Sequence, residues 1–294
     1  MLTSRCLEVL LAGTRRRVRG GIPRRRRVRL EGVLWFASAT VVMVCGRFAS
    51  ISGVEEVAAM FAVDVVSAPS RPPRYNVAPS TDVLAVTAMV GHPGTSSPAS
   101  AGGSAADVRL SPHDGRSTER ELTTLRWGLI PSWAKDTSVG SRMINARAEG
   151  VDSKPSFRAA FARRRCLIPA DVFYEWRRDG SERLAFAIAR RDRRPMAFAG
   201  LWEVWRGPGG ASQEAITSAA IVTTSANEDM LPIHDRMPVI IEDDSWDGWL
   251  DPEADRDYLL DLLKPAGPGV IEAWRVSNMV NKVSNRGSEL IDPV

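Results

Sequence analysis

Between positions 84 and 224 the chain carries six short runs rich in β-branched, aromatic and other apolar residues. They fall at 84–90, 165–168, 172–176, 184–188, 196–202 and 219–224, each bounded by turn-forming residues. Runs of that length and composition read as strands. Two segments show helical periodicity instead. One is 154–164, where Pro155 suits a first turn and Phe157, Ala160 and Phe161 share a face; the other is 246–263, carrying Trp246, Trp249, Leu250, Leu259, Leu260 and Leu263. Strands and helices therefore do not alternate. With neither a GxGxxG nor a P-loop present, a doubly wound nucleotide-binding sheet is disfavoured. The body is a mixed α and β domain, and no internal repeat organises it.

Composition narrows the chemistry. At 44% hydrophobic and 25% charged over 294 residues, the chain is neither fibrous nor wholly disordered. Three cysteines (Cys6, Cys45, Cys166) cannot frame a disulfide scaffold, and no CxxC pair suggests zinc. Three histidines (His92, His113, His234) are too few for a multi-histidine metal centre. The net charge of +4 is unevenly spread: residues 1–44 hold ten basic and two acidic residues, leaving 29 basic against 33 acidic in the rest. Overall basicity is thus no evidence that the folded body binds nucleic acid.

The basic leader, with arginine runs at 15–17 and 24–27 and an apolar stretch at 33–44, has three readings. It is a secretory signal, a basic arm for nucleic acid or a membrane surface, or translated upstream DNA ahead of a true start at Val44. Its apolar stretch is too short to span a bilayer of roughly 30 Å. The Cys-Gly-Arg stretch that begins at Cys45 favours the third reading. A second low-complexity tract, 91–120, is rich in Gly, Ser, Ala and Pro and is expected to be a disordered loop inserted between strands.

Four stretches carry chemistry: Cys45-Gly46-Arg47, Asn145-Ala146-Arg147-Ala148-Glu149, the PADVFYEW run ending at Trp176, and His234-Asp235-Arg236-Met237-Pro238. Singly each has a bland explanation: a buried small hydrophobe, a turn cap, a paired carboxylate, a core histidine. Together, one Cys, one His, one Glu and one Asn supply a nucleophile, a proton shuttle and a polarising amide.

The chain from Cys45 onward resembles the SRAP (SOS response-associated peptidase) family, also called abasic-site processing proteins. The matching segments are CGRFA at 45–49, RYNVAPS at 74–80, LRWGLIPSWAKD at 125–136, MINARAE at 143–149 and PSFRAAFARRRCLIPADVFYEW at 155–176. AGLWE at 199–203, TTSAN at 223–227, IHDRMPVII at 233–241 and VSNMVNKVSN at 276–285 complete the series. The resemblance implies an α+β fold with an antiparallel, barrel-like β core flanked by helices and a positive groove. It places the domain at 45–294, with residues 1–44 non-native or removed.

The resemblance also implies a reaction. An abasic site equilibrates with a ring-opened aldehyde; the α-amine of an N-terminal Cys45 forms a Schiff base with it, and the thiol closes a thiazolidine. An α-amine titrates near 7.7–8.0, so at pH 7 roughly a tenth of it is neutral. Asn145 is expected to orient the sugar, Glu175 to move protons or hold the amine, and His234 to protonate the sugar oxygen. Arg47 and Arg147 are the expected phosphate contacts, and Trp127, Pro79 and Trp133 the base supports or stacking platforms. Core packing is the competing reading of the tryptophans. Arg163–Arg165 reads as a solvated helix end, Cys166 as buried, and Asp235 and Arg236 as braces of the histidine loop. The expected partner is single-stranded DNA containing abasic sites, bound covalently by a cytoplasmic monomer that needs no cofactor or metal and no membrane. Two rivals remain: a thiol peptidase using Cys45, His234 and Asn145, and a non-catalytic single-strand binding module.

Overall fold

The computed structural model describes residues 45–89, 108–109, 118–210 and 214–294. The leader before Cys45 and most of the 91–120 tract, His92 and His113 included, lie outside the described residues. In chain order the first strands are β1 (Phe48–Ser50), β2 (Val65–Val66), β3 (Arg74–Val77), β4 (Asp82–Ala88), β5 (Val108–Arg109), β6 (Arg120–Trp127) and β7 (Asn145–Arg147). Then come β8 (Arg165–Ala170), β9 (Val172–Asp179), β10 (Glu182–Arg190), β11 (Met196–Trp205), β12 (Ile216–Ser225), β13 (Arg236–Pro238) and β14 (Ile271–Arg275). The α-helices are short: α1 (Val54–Met60), α2 (Arg158–Arg163), α3 (Trp246–Leu250) and α4 (Arg256–Asp261).

Two sheets result. One is antiparallel, in the order β14–β10–β9–β1–β3; the other runs β13–β12–β11–β8–β4–β6–β2–β5, with β7 beside β12. Pairing of β12 with β6, Ser218 opposite Arg126 and Ala219 opposite Trp127, closes β12–β11–β8–β4–β6 into a barrel. The closing pair is parallel, as are β2–β6 and β7–β12, so the expected antiparallel barrel is a mixed one.

One strand path joins the sheets. β8 leaves the barrel at Asp171 and continues as β9 in the second sheet. Asp171 holds this corner: its carboxylate accepts the N–H groups of Ile51 (2.5 Å) and Ser52 (3.1 Å) and the Ser52 hydroxyl (2.7 Å). Phe48, Phe173 and Phe198 pack edge-on between the sheets, with ring centroids 5.9–6.3 Å apart where they meet Phe198. On the barrel's other side, α1 and the α3 region cover the apolar surface, Phe61 stacking on Trp246 at 4.3 Å.

Each run expected to be a strand lies within or largely overlaps one; the helical segments change more. The 154–164 segment is helical only over α2. The 246–263 segment divides into α3 and α4, because Asp251-Pro252 interrupts the backbone and Asp255 then caps α4 by accepting the N–H groups of Asp257 (2.8 Å) and Tyr258 (3.1 Å). The 91–120 tract is not loop throughout: β5 pairs with β2, and Arg120 begins β6. Arg120 is buried, donating to Asp247 (2.6 Å). The solvated reading of Arg163–Arg165 fails at Arg165. Its buried guanidinium donates to the carbonyls of Trp249 (2.7 Å), Phe161 (2.6 Å), Ala162 (2.7 Å) and Asp251, tying the ends of α2 and α3 to the barrel.

Packing is close where β8 meets β11. A Cβ added at Gly200 would lie 2.6 Å from the Cys166 Sγ and 3.1 Å from the Ile168 Cδ1. Gly200→Ala is expected to cost about 1–3 kcal/mol of stability by overpacking. Adding Cys166→Ala should recover much of that loss, so that the double variant is more stable than the sum of the singles. Additive losses in a denaturant-melt cycle would show that this contact is not the cause.

Candidate active site

The site begins where β1 lies between β9 and β3. Phe48 pairs with Phe173 on one side and Val77 on the other, bringing the residues before Phe48 against the middle of β9. There the backbone nitrogen of Cys45 donates a hydrogen bond to Glu175. That nitrogen is an amide while residue 44 is attached and an amine when Cys45 is terminal. Both residues are buried, at 0% and 1% exposure. Burial raises the Glu175 carboxyl to about 8; Asp235 adds to the rise, while the N–H groups of Cys45 and Trp176 and the charge of Arg183 oppose it. Burial, and then the Glu175 charge, raise the Cys45 thiol well above its ordinary value.

Arg47 faces the other way. It is half-buried, and Nη1 donates to Asn76 Oδ1 (2.7 Å) and to the Val280 carbonyl (2.9 Å). Asn76 in turn reaches the carbonyls of Val280 (3.3 Å), Lys282 (3.2 Å) and Asn285 (2.9 Å) through Nδ2. The Tyr174 hydroxyl donates to the Tyr75 carbonyl (2.7 Å), and Trp176 Nε1 to Asn281 Oδ1 (2.7 Å). The segments 45–47, 74–77, 174–176 and 276–285 are thus one hydrogen-bonded unit. Asn76 has no role in the sequence analysis. It satisfies three carbonyls of the C-terminal segment, Val280 at a short helical turn and Lys282 and Asn285 beyond it.

β12 gathers the rest. Along one edge β7 runs parallel to it, Asn145 opposite Ile221; along the other, past the end of β11, lies β13, Arg236 opposite Ser225. Trp127 is fully buried, and its Nε1 donates to the Ile144 carbonyl (3.0 Å), fixing the backbone just before Asn145. It therefore cannot stack on a base, and the expectation of a DNA contact is corrected to a positioning role. Arg236 joins the two flanks, donating to Glu149 and to the Thr223 carbonyl (2.7 Å), as the bracing reading expects.

His234 sits between these groups on a turn held by Asn227, whose Oδ1 accepts the Met230 N–H (3.0 Å) while the Met230 carbonyl accepts that of His234 (2.9 Å). Its Nδ1 accepts the Arg236 N–H (3.0 Å) and lies 3.1 Å from Asp235 Oδ1. With Nδ1 an acceptor, the neutral imidazole carries its proton on Nε2. Burial lowers its pKa and favours that neutral form, against the opposing effects of Asp235 and the Arg236 N–H. Arg183 acts electrostatically on both His234 and Glu175.

The remaining expected residues lie at the surface. Arg147 is exposed at the end of β7, and Trp133 is 61% exposed in the loop after Gly128. Pro79 is half-buried in the turn before β4, where the Ser80 N–H donates to the Trp127 carbonyl (2.7 Å). Cys166, by contrast, is buried in the barrel as expected. Among the described residues, no three His, Cys, Asp or Glu side chains gather as a metal site requires, and no helix is long and apolar enough to cross a membrane.

Comparison with known proteins gives the same outline. Residues 44–283 match the family model described as SOS response associated peptidase (SRAP). The chain belongs to the SRAP family. Among its SRAP relatives is the abasic site processing protein YoqW of Bacillus subtilis, 39% identical over 252 residues, covering 85% of this chain and 99% of that one. The abasic site processing protein YedK of Escherichia coli is 28% identical over 260 residues, covering 85% and 100%. The abasic site processing protein HMCES of Gallus gallus is 31% identical over 205 residues, covering 62% and 60%. A solved protein structure from Bacteroides thetaiotaomicron shares the fold, with a TM-score of 0.68 at 21% identity over 85% of this chain and all of that one.

Glu175 gives the SRAP site a measurable signature. A carboxyl raised to about 8 in the fold and near 4.3 when unfolded binds its proton more tightly in the native state between those values. Its contribution to stability is full below about pH 4 and is lost as pH rises through 8. Thermal melts of the full chain should therefore fall over that window by more than those of Glu175→Gln, which keeps a neutral, hydrogen-bonding side chain. Parallel pH profiles for the two would refute a raised carboxyl.

Proposed function

We propose that this chain processes abasic sites in DNA by trapping them covalently through Cys45. The observation that carries the reading is the hydrogen bond from the Cys45 nitrogen to the buried Glu175. Burial favours the proton on this carboxyl, and the carboxyl adjoins the nitrogen that becomes the α-amine once Cys45 is terminal, so Glu175 is placed to take that amine's proton.

The reaction then proceeds without oxidant or reductant. The amine adds to the ring-opened aldehyde and water leaves, giving an imine; the thiol adds across that C=N bond, forming C–S and returning the proton to nitrogen. Tethering makes the second step intramolecular. The high thiol pKa suits this order, since the amine rather than a free thiolate makes the first attack. Asn145 orients the sugar, His234 donates from Nε2 to the sugar oxygen, and Arg47 and Arg147 meet phosphates. Trp133 and Pro79 support the flanking bases, and the partner is single-stranded DNA.

The active form has Cys45 at its N-terminus, as translation from Val44 read as methionine, followed by methionine removal, would give. The peptidase reading gains nothing from the geometry. Among the described residues Cys45 makes no hydrogen bond with His234, whose Nδ1 faces Asp235 and Arg236.

A denaturing gel with single-stranded DNA carrying one abasic site tests the proposal on two proteins, the full chain and a form starting Met-Cys45. The short form is expected to give a heat-stable shifted band and the full chain none. Cys45→Ala should abolish the band, and Glu175→Gln should slow its appearance by roughly 10²-fold. A short form with processed Cys45 that gives no band overturns the proposal.

A further inference from the structure

A second cationic cluster lies along β1 and β3, away from Cys45. Arg74 pairs with Ser50 across the two strands, and Arg71 Nη2 donates to the Ser50 hydroxyl (2.9 Å), so Ser50 adjoins both residues. Arg74 donates to the Asp82 carbonyl (2.5 Å) and to Thr81 Oγ1 (2.9 Å). Arg286 joins them from the C-terminal segment: its neighbour Asn285 is bound by Asn76, two residues along β3 from Arg74.

These acceptors of Arg71 and Arg74 are all neutral. Among the described residues, none of the three guanidinium groups has an ion pair. The nearby Asp171 carboxylate is already committed to Ile51 and Ser52. Like charges held this way repel. Burial and then Arg74 push Arg71 down to about 10 against the charges of Asp82 and Asp171, and burial, with a smaller push from Arg286, lowers Arg74 against the charge of Asp82. Two half-buried arginines and an exposed third, converging without an ion-pair partner, form a fork suited to a phosphate group.

We propose that Arg71, Arg74 and Arg286 form a second phosphate site, which grips the DNA backbone several nucleotides from the reacting cysteine. Ser50 lies five residues from Cys45, roughly 17 Å at strand spacing, so the strand's phosphates reach both places. The inference rests on the reading of the substrate as DNA. It adds a contact blind to the lesion and to sequence, which supplies affinity rather than chemistry.

The test measures binding of the full chain to an undamaged single strand of about 20 nucleotides between 50 and 200 mM salt. Arg71→Gln/Arg74→Gln is expected to bind about tenfold more weakly, its salt slope shallower by about 0.7 for each phosphate it no longer touches. A three-nucleotide strand, too short to reach the cluster, should bind variant and wild type alike. Arg286→Gln, exposed and without a hydrogen bond among the described residues, should weaken long-strand binding in the same direction without threatening the fold. Wild-type affinity and slope in both variants would overturn the proposal. So would Arg286-dependent binding of inorganic phosphate with long-strand affinity unchanged, which would assign the cluster to free phosphate. Loss of long-strand affinity together with no crosslink in any form supports this site and refutes the covalent chemistry alone.

Discussion

A carboxyl group removed from water must either find cations or keep its proton. Glu175 does the second, beneath a strand that brings it one nitrogen, and the rest of the site is arranged around that contact. It requires β1 to lie against β9 in a single register, because a one-residue slip would turn Glu175 toward the opposite face. The Asp171 corner fixes that register by holding both strands where the chain passes between sheets. Losing the Glu175 carboxyl would leave the buried Cys45 nitrogen without its hydrogen-bond acceptor, at a cost in local stability.

The histidine side of the site is built differently. Its loop is suspended between two flanks of β12, one through backbone pairing with β13 and one through Arg236 bridging to Glu149 and Thr223. Within the loop, Asp235 acts on both titrating groups, lying against His234 Nδ1 and raising Glu175. A single exposed carboxylate therefore biases both titrating groups together.

Much of this was legible in the residues. The strand runs were visible because β-branched and apolar clusters bounded by turn residues follow from local chemistry alone, and the four chemical stretches stood out by residue type. What escaped was decided by distant partners. Trp127 reads the same whether its indole meets a base or the Ile144 carbonyl. Arg165 looks like part of a solvated arginine run until four carbonyls from two helix ends converge on it. Asn76 gives little sign of itself in RYNVAPS, since the carbonyls it satisfies lie more than two hundred residues away. The division of the last helical segment, by contrast, was present in Asp251-Pro252 and was masked by the apolar periodicity on either side.

The same long-range ties set a schedule for the molecule's birth. Arg47 and the Val280 carbonyl are 233 residues apart, and residues 276–285 make the floor on which Arg47 and Trp176 rest. A nascent chain can close its barrel while that segment is still inside the ribosome, since every barrel strand is complete by Ser225. The cysteine pocket cannot be finished then. Its framework is completed only as the last segment emerges and Asn76 captures it, so a chain caught in mid-synthesis presents a formed barrel with its cysteine segment still unbraced.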